Sequence, residues 1–309
     1  MKLEKILAGV KKNTSLKNHT TFKIGGRAKY FFEARKKEDL ILAIKAAKAL
    51  GLPFFILGKG SNLLISDQGF KGLVIKNQIS KITLRGVASD RKTQKDKKNI
   101  KIVAEAGTPL ATLVLEALKS GAKGFEWAVG IPGTVGGAVY GNAGAFGKSI
   151  SDNVVEVEML DAGKMTVERL KKGDCHFGYR ESIFKKNKNS VILEAIFLAK
   201  KGNKKEIQNK IKEYLFRRRE KQPLNLPSIG SIFKNPAGKK FSAGELIERV
   251  GLKGKRAGGV EVSEKHSNFF LNVNRGKSKD VKNLIKLAKK RVKNKFGIEL
   301  KEEIQYLGP

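Results

Sequence analysis

Cysteine occurs once in the 309 residues, at Cys175, so no disulfide can form within the chain and a reducing compartment is expected. Histidine is confined to His19, His176 and His266, which are scattered. No His-x-x-x-His or Cys-x-x-Cys spacing occurs, and Cys175-His176 is one adjacent pair, so no metal site is expected. No apolar run approaches the roughly 20 residues that span a bilayer. Lys, Asn and His interrupt Met1 to Phe22 too often for a signal peptide. The expected address is the cytoplasm, with no membrane partner. Acidic residues are few, 29 against 64 basic, which leaves a net charge of +35 and raises a nucleic-acid reading. Against it, only 13 of the 64 are arginine, and the lysines are spread over every expected helix face and loop. One tryptophan and five tyrosines leave no aromatic–basic platform for stacking bases. A solvated lysine coat is the simpler reading, no nucleic-acid partner is expected, and a polyanionic small ligand is favoured.

Three familiar motifs are also missing. No segment reads G-x-x-x-x-G-K-[ST], the phosphate loop of nucleotide hydrolases. The only glycines two positions apart are Gly58 and Gly60, and position 63 is leucine, so the dinucleotide fingerprint of a Rossmann half is absent. No G-x-S-x-G elbow offers a serine nucleophile.

What the chain does have is glycine in two places. From Gly130 to Gly147, seven of eighteen residues are glycine, with Pro132 stiffening the start and Asn142 able to hold a left-handed backbone. Little there repeats at helix or strand period, so a loop is expected, whose bare backbone N–H groups suit a phosphate. Upstream, the buried strand expected at Phe54–Leu57 runs into Gly58-Lys59-Gly60-Ser61-Asn62. Two such loops suggest one elongated ligand with a pyrophosphate in its middle.

The length suggests two domains with real cores. Apolar spacing predicts a helix over Lys36–Leu50, strands at Leu73–Lys76, Ile79–Leu84 and Ile100–Ala106, and an exposed hairpin loop over Arg85–Asn99. A helix to Ser120 is expected to have Pro109 as its first residue. Val154–Leu160 reads as a strand with Val155, Val157 and Met159 inward, and Val191–Leu198 as another. Lys204–Arg219 reads as a basic amphipathic helix with Ile207, Ile211, Leu215 and Phe216 inward. Pro223 and Pro227 suggest a domain boundary. Ser242 and Glu245 form a capping box, Ser278 is expected to cap a longer helix ended by Gly297, and strands are expected at Ile298–Leu300 and Ile304–Leu307.

Asn13–Phe22 followed by Gly25-Gly26, then Leu57–Asn62, then Gly130-Ile-Pro-Gly-Thr-Val-Gly-Gly137 with Gly141–Gly144, form an ordered set of motifs. Phe177-Gly-Tyr-Arg-Glu-Ser182, Gly230-Ser-Ile-Phe-Lys-Asn-Pro236 and Glu302-Glu-Ile-Gln-Tyr-Leu-Gly308 continue it. Together they resemble the UDP-N-acetylenolpyruvoylglucosamine reductase family from about Asn13 to Gly308. The resemblance implies an α+β fold. A flavin domain of the PCMH, or vanillyl-alcohol-oxidase, type would occupy residues 1–221 in two lobes, about 1–84 and 85–221, rejoined by strands over 298–309. A smaller α+β substrate domain would occupy 222–297.

It also implies non-covalent FAD, NADPH as hydride donor, and UDP-N-acetylglucosamine enolpyruvate as the substrate reduced to UDP-N-acetylmuramate for the bacterial cell wall. Hydride would pass from flavin N5 to C3 and a proton to C2. Gly58, Lys59, Gly60, Ser61 and Asn62, with Gly130, Ile131, Pro132, Gly133, Thr134, Gly136, Gly137, Asn142 and Gly144, would hold the cofactor. Arg180, Ser231 and Glu303 would be catalytic, the last distinguished from Glu302 by standing directly before Ile-Gln-Tyr-Leu-Gly. Tyr179, Arg217, Lys221, Lys234 and Asn235 would contact substrate. Between Tyr179 and Arg217 there is room for one strand and one helix, as in the short, type II form, so the long form's clamp tyrosine has no counterpart. A monomer is expected. The alternative is another FAD oxidoreductase of the same fold acting on a different small substrate.

Overall fold

The computed structural model describes residues 2–86 and 99–309. The chain divides into two compact units. One comprises the N-terminal residues to Gly9, Phe32–Gly58 and Ile75–Arg217; the other comprises Val10–Phe31, Lys59–Val74 and Arg218–Pro309. Among the described residues no helix is long and apolar enough to cross a membrane.

The first unit is built on an antiparallel sheet in the order Thr166–Lys171, Val154–Asp161, Ser190–Lys201, Asn99–Glu105, Ile82–Gly86. Its core gathers Ile102, Leu113, Trp127, Val139, Val157 and Phe184, with Phe125 edge-on to Phe197 at 5.5 Å. The Leu110–Ser120 helix is amphipathic, buries Leu110, Leu113, Val114 and Ala117, and ends at Gly121 in the left-handed region. The helix expected over Lys36–Leu50 runs from Lys37 to Ala49, and the Phe54–Leu57 strand has the expected bounds.

In the second unit, Ser228–Ser231, Phe269–Asn272, Val260–Val262 and Arg256–Ala257 form a four-stranded antiparallel sheet. The Ala243–Arg249 and Ser278–Phe296 helices share its core with Phe22, Leu64, Phe233 and Phe270. Gln305–Leu307 pairs in parallel with Leu63–Ile65. The Ser242–Glu245 capping box forms as expected, the Glu245 carboxylate taking the Ser242 N–H at 2.8 Å. The expected apolar stripe Val281, Leu284, Ile285, Ala288 and Val292 is buried.

Several expectations are corrected. The strand placed at Ile79–Leu84 begins at Ile82, because the Asn77 side chain takes the Ile79 N–H in a local turn at 3.0 Å. The loop placed over Arg85–Asn99 falls largely outside the described residues. Pro109 precedes the helix with ψ 139° instead of starting it. Val155 faces solvent, because a register shift between Val154 and Glu156 moves it off the buried face. Phe216 is 65% exposed, since it lies half a turn out of phase with Ile207; Tyr214 takes the inward position. Ser278 is the first helical residue, and the cap comes from Asp67. Its carboxylate accepts from the Ser278 N–H at 2.9 Å and the Lys279 N–H at 3.3 Å. Ile298–Leu300 forms no strand; pairing starts at the single bridge between Phe233 and Glu302.

Candidate active site

The glycine-rich stretch of the first unit is not all loop. Val135–Tyr140 is a six-residue helix capped by Thr134, whose Oγ1 accepts from Gly137 N at 3.3 Å. Three backbone bonds strap its start to the segment after the Asn99–Glu105 strand: Leu110 N to Gly133 O at 3.0 Å, Val135 N to Thr108 O at 2.8 Å and Gly136 N to Ala106 O at 2.8 Å. The glycines permit this approach. A Cβ on Gly136 would lie 2.8 Å from the Ala106 Cβ, and one on Gly58 would lie 2.8 Å from Thr134 Oγ1. The Gly58 and Gly130–Gly137 segments therefore meet within this unit. Gly130 and Pro132 are exposed, and Ile131 is half-buried with its N–H on Ala128 O at 3.1 Å.

Arg180 stands at the tip of a tight turn closed by Gly178 N to Glu181 O at 3.0 Å and Glu181 N to Gly178 O at 3.1 Å. Its φ is 58°, the left-handed region, which a non-glycine residue occupies at a cost of about 1–2 kcal/mol. The turn is held from the glycine stretch. Asn142, itself left-handed at φ 42°, donates from Nδ2 to Gly178 O at 2.8 Å; Ser182 Oγ donates to Tyr140 O at 2.6 Å; and Arg180 Nη2 donates to Gly144 O at 2.9 Å. Tyr179 is exposed, its ring 5.3 Å from the Arg180 guanidinium. Arg217 is exposed and paired with Glu213 at 2.6 Å on the same helix.

The second unit holds the rest of the Gly58 loop. Gly60 has φ 63°, and a Cβ there would meet His19 O at 2.7 Å, which explains why the loop lies against the Asn13–Phe22 motif. Lys59 is exposed, Ser61 and Asn62 are half-buried, and the four N–H groups from Lys59 to Asn62 are not engaged by acceptors among the described residues. Asn62 ties this loop to the C-terminal strand. Its Nδ2 donates to Glu303 O at 3.1 Å, and its carbonyl accepts from Gln305 N at 3.0 Å. Glu303 N in turn donates to Ile232 O at 2.8 Å, next to Ser231. Gly230, at φ 78°, brings the backbone before Ser231 within 3.7 Å of Ser61 O, measured from the position of an added Cβ. Ser61, Asn62, Ser231 and Glu303 thus come together from three separate stretches of sequence.

Glu302 faces other partners, an ion pair with Lys289 and the Tyr306 hydroxyl. Lys234 N donates to Lys301 O at 2.8 Å, Asn235 Oδ1 accepts from Ala243 N at 3.1 Å at a helix start, and Lys221 is exposed.

Two residues escaped sequence reasoning. Arg218 is 6% exposed, and burial pushes its guanidinium down to about 10. The signal was available: it continues the inward stripe Ile207, Ile211, Tyr214 at helical spacing. Asn268, buried, takes the Phe233 N–H at 2.9 Å and donates to Phe233 O at 2.8 Å, fixing the backbone beyond Ser231. Nothing local marks it.

Comparison with known proteins shows the family. Residues 28–170 match the FAD binding domain family, and residues 222–307 match the UDP-N-acetylenolpyruvoylglucosamine reductase C-terminal domain. The UDP-N-acetylenolpyruvoylglucosamine reductase of Caldanaerobacter subterraneus is 43% identical, the match covering 96% of this chain and 93% of the relative. That of Clostridium novyi is 40% identical over 99% of this chain and 95% of its own length. The solved UDP-N-acetylenolpyruvylglucosamine reductase of Thermus caldophilus superposes with a TM-score of 0.76 at 32% identity, over 96% of this chain and 98% of its own. The chain belongs to the UDP-N-acetylenolpyruvoylglucosamine reductase family.

Proposed function

We propose that the chain is an FAD-dependent oxidoreductase that uses NADPH to reduce UDP-N-acetylglucosamine enolpyruvate to UDP-N-acetylmuramate, the step that supplies muramic acid for peptidoglycan and hence for cell shape and division. The observation that carries this reading is the link in the second unit from the cofactor loop through Asn62 to Glu303, and from Glu303 to the backbone beside Ser231. The donor set fits FAD: close-packed glycine segments leave backbone N–H groups from Lys59 to Asn62 for a diphosphate, and a diphosphate suits N–H donors that need no counter-charge of their own. FAD, when bound, would supply the hydride chemistry between NADPH and C3 of the enolpyruvyl ether.

The chain's own residues do the rest. Arg180, its turn pinned by Asn142 and Ser182, binds the enolpyruvyl carboxylate through two parallel N–H bonds and stabilises the charge that grows on it. Ser231 donates the proton to C2. Glu303 orients that hydroxyl and takes part in returning its proton. Tyr179, Arg217, Lys221, Lys234 and Asn235 receive the diphosphate and sugar, and the buried Arg218 joins them. Residues 1–221 with 298–309 serve the cofactor and 222–297 the UDP-sugar. The enzyme works as a cytoplasmic monomer on small molecules.

The test is Ser231→Ala in stopped flow. Flavin reduction by NADPH should stay near the wild-type rate, while reoxidation by the enolpyruvyl substrate slows by about a hundredfold or more, the scale of a positioned general acid. Ser231→Cys should retain more activity than the alanine variant, since a thiol still donates. Reoxidation of Ser231→Ala at the wild-type rate would make Ser231 structural.

A further inference from the structure

Glu302 and Glu303 are adjacent carboxylates at the end of the chain, and only one of them can serve the reaction. In extended backbone, successive side chains point to opposite faces, so a slip of one residue would exchange the two. The pairing that guards against that here is short. The Phe233–Glu302 bridge stands alone, and the strand proper resumes only at Gln305–Leu307. The backbone is pinned on either side of residue 302, by Lys234 N to Lys301 O and Glu303 N to Ile232 O, both at 2.8 Å, and the Glu302 side chain adds a second hold. One carboxylate oxygen of Glu302 takes the Lys289 ammonium, from the Ser278–Phe296 helix, and the other takes the Tyr306 hydroxyl. Burial together with the Glu302 carboxylate pushes the Tyr306 hydroxyl well up, so it stays a donor across the working range. Lys282, one helical face with Lys289, lies 5.7 Å over the Tyr306 ring. Lys289 and the Tyr306 hydroxyl therefore hold Glu302 directly, and Lys282 covers the Tyr306 ring.

We propose that Lys289, Tyr306 and Glu302 form a register clamp that positions Glu303 for the proton-transfer half of the reaction. Fixing the Glu302 side chain toward the helix commits the Glu303 side chain to the opposite face, while in the plane between them the Glu303 N–H donates to Ile232 O and its carbonyl accepts from Asn62 Nδ2. None of the three touches substrate; they act through Glu303. The inference rests on the proposed role of Glu303, and the experiment separates the two. A misplacement of about an ångström at a reacting group costs on the order of a hundredfold in rate.

Four variants are compared by stopped flow, by flavin-to-protein ratio and by amide hydrogen exchange of the FAD-free protein. Glu303→Gln tests the underlying reading, and slow reoxidation is expected. Glu302→Ala and Lys289→Met test the clamp. They should keep the wild-type flavin ratio and wild-type reduction by NADPH, slow reoxidation by the enolpyruvyl substrate about tenfold or more, and speed exchange of the Glu303 and Gln305 amides. Lys289→Arg, which keeps a cation against the carboxylate, should recover most of both losses. Wild-type exchange and reoxidation in Glu302→Ala would overturn the clamp while leaving Glu303 catalytic. Equal slowing of both half-reactions would reduce the clamp to a stability role and overturn it as well. Wild-type reoxidation in Glu303→Gln would sink the reading of Glu303 and the clamp with it.

Discussion

At the scale of single residues, function and packing compete for the same positions. Arg180 keeps a left-handed backbone at φ 58° that glycine would hold without strain, and three side-chain bonds from Asn142, Ser182 and Arg180 itself sustain it. The carboxylate-binding role proposed for it would account for the strain. Gly136 illustrates the reverse. Its motif made ligand contact or a left-handed backbone the reasons for glycine. Its φ is not in the left-handed region, and the constraint is the Ala106 Cβ, 2.8 Å from where a side chain would start. Gly136→Val should therefore cost about 1–3 kcal/mol by overpacking and lower the flavin bound per protein, because the helix start must move off Ala106. Chemical denaturation and the flavin-to-protein absorbance ratio measure the two effects. A variant with full stability and full flavin would show that the close packing is dispensable.

At the scale of elements, the sheet of the first unit carries an electrostatic problem and its solution. Glu158 stands directly opposite Glu194, and Glu194 opposite Glu105, so like charges meet across three strands. Lys37, at the start of the Lys37–Ala49 helix, answers them with bonds of 2.7 Å to Glu158 and 3.2 Å to Glu194, and Arg169 adds 3.0 Å to Glu158. Burial alone would push the Glu158 carboxyl up, but Lys37 and Arg169 together hold it below its ordinary value. A lowered folded-state value adds stability above the unfolded carboxylate range, and that stability is lost as pH falls through the folded value. Lys37→Met should cost about 1–3 kcal/mol at pH 7 and flatten the acid limb, so that wild type and variant converge as Glu158 is protonated. Denaturation curves at pH 7 and near pH 3 test this; an equal deficit at both would refute it.

The elements show what a sequence displays and what it hides. Periodic stripes were legible: the Ser278–Phe296 helix and its five inward residues follow from spacing alone. Features that depend on distant partners were not. The Asp67 cap of that helix lies 211 positions from Ser278, and the bulge that turns Val155 outward is a property of two strands together. The same division holds for the site. The glycine-rich stretches and the segments around Arg180 and Ser231 stand out in the sequence, though the Val135–Tyr140 helix inside one of them does not, and Asn268 and the Glu302 partners become visible only when the chain is folded.

At the scale of the whole molecule, the +35 charge and the cofactor make separable claims. Neither glycine loop, Gly58–Asn62 or Gly130–Gly147, contains histidine or cysteine, and Cys175 is fully buried with its thiol pushed up to about 11 by burial, so neither loop nor that thiol offers a covalent flavin bond. Heat or acid should release all the yellow colour into the supernatant; colour remaining with the precipitate would refute non-covalent binding. Read as a solvated coat, the lysines would favour anionic small ligands, and the reaction supplies two of them, NADPH and a UDP-sugar. Turnover of the purified protein decides the account. NADPH oxidation should depend on UDP-N-acetylglucosamine enolpyruvate, with one NADPH consumed for each UDP-N-acetylmuramate formed and no matching oxygen uptake. NADPH consumption that ignores the enolpyruvyl sugar and tracks oxygen instead would contradict it and favour an oxidase on the same fold.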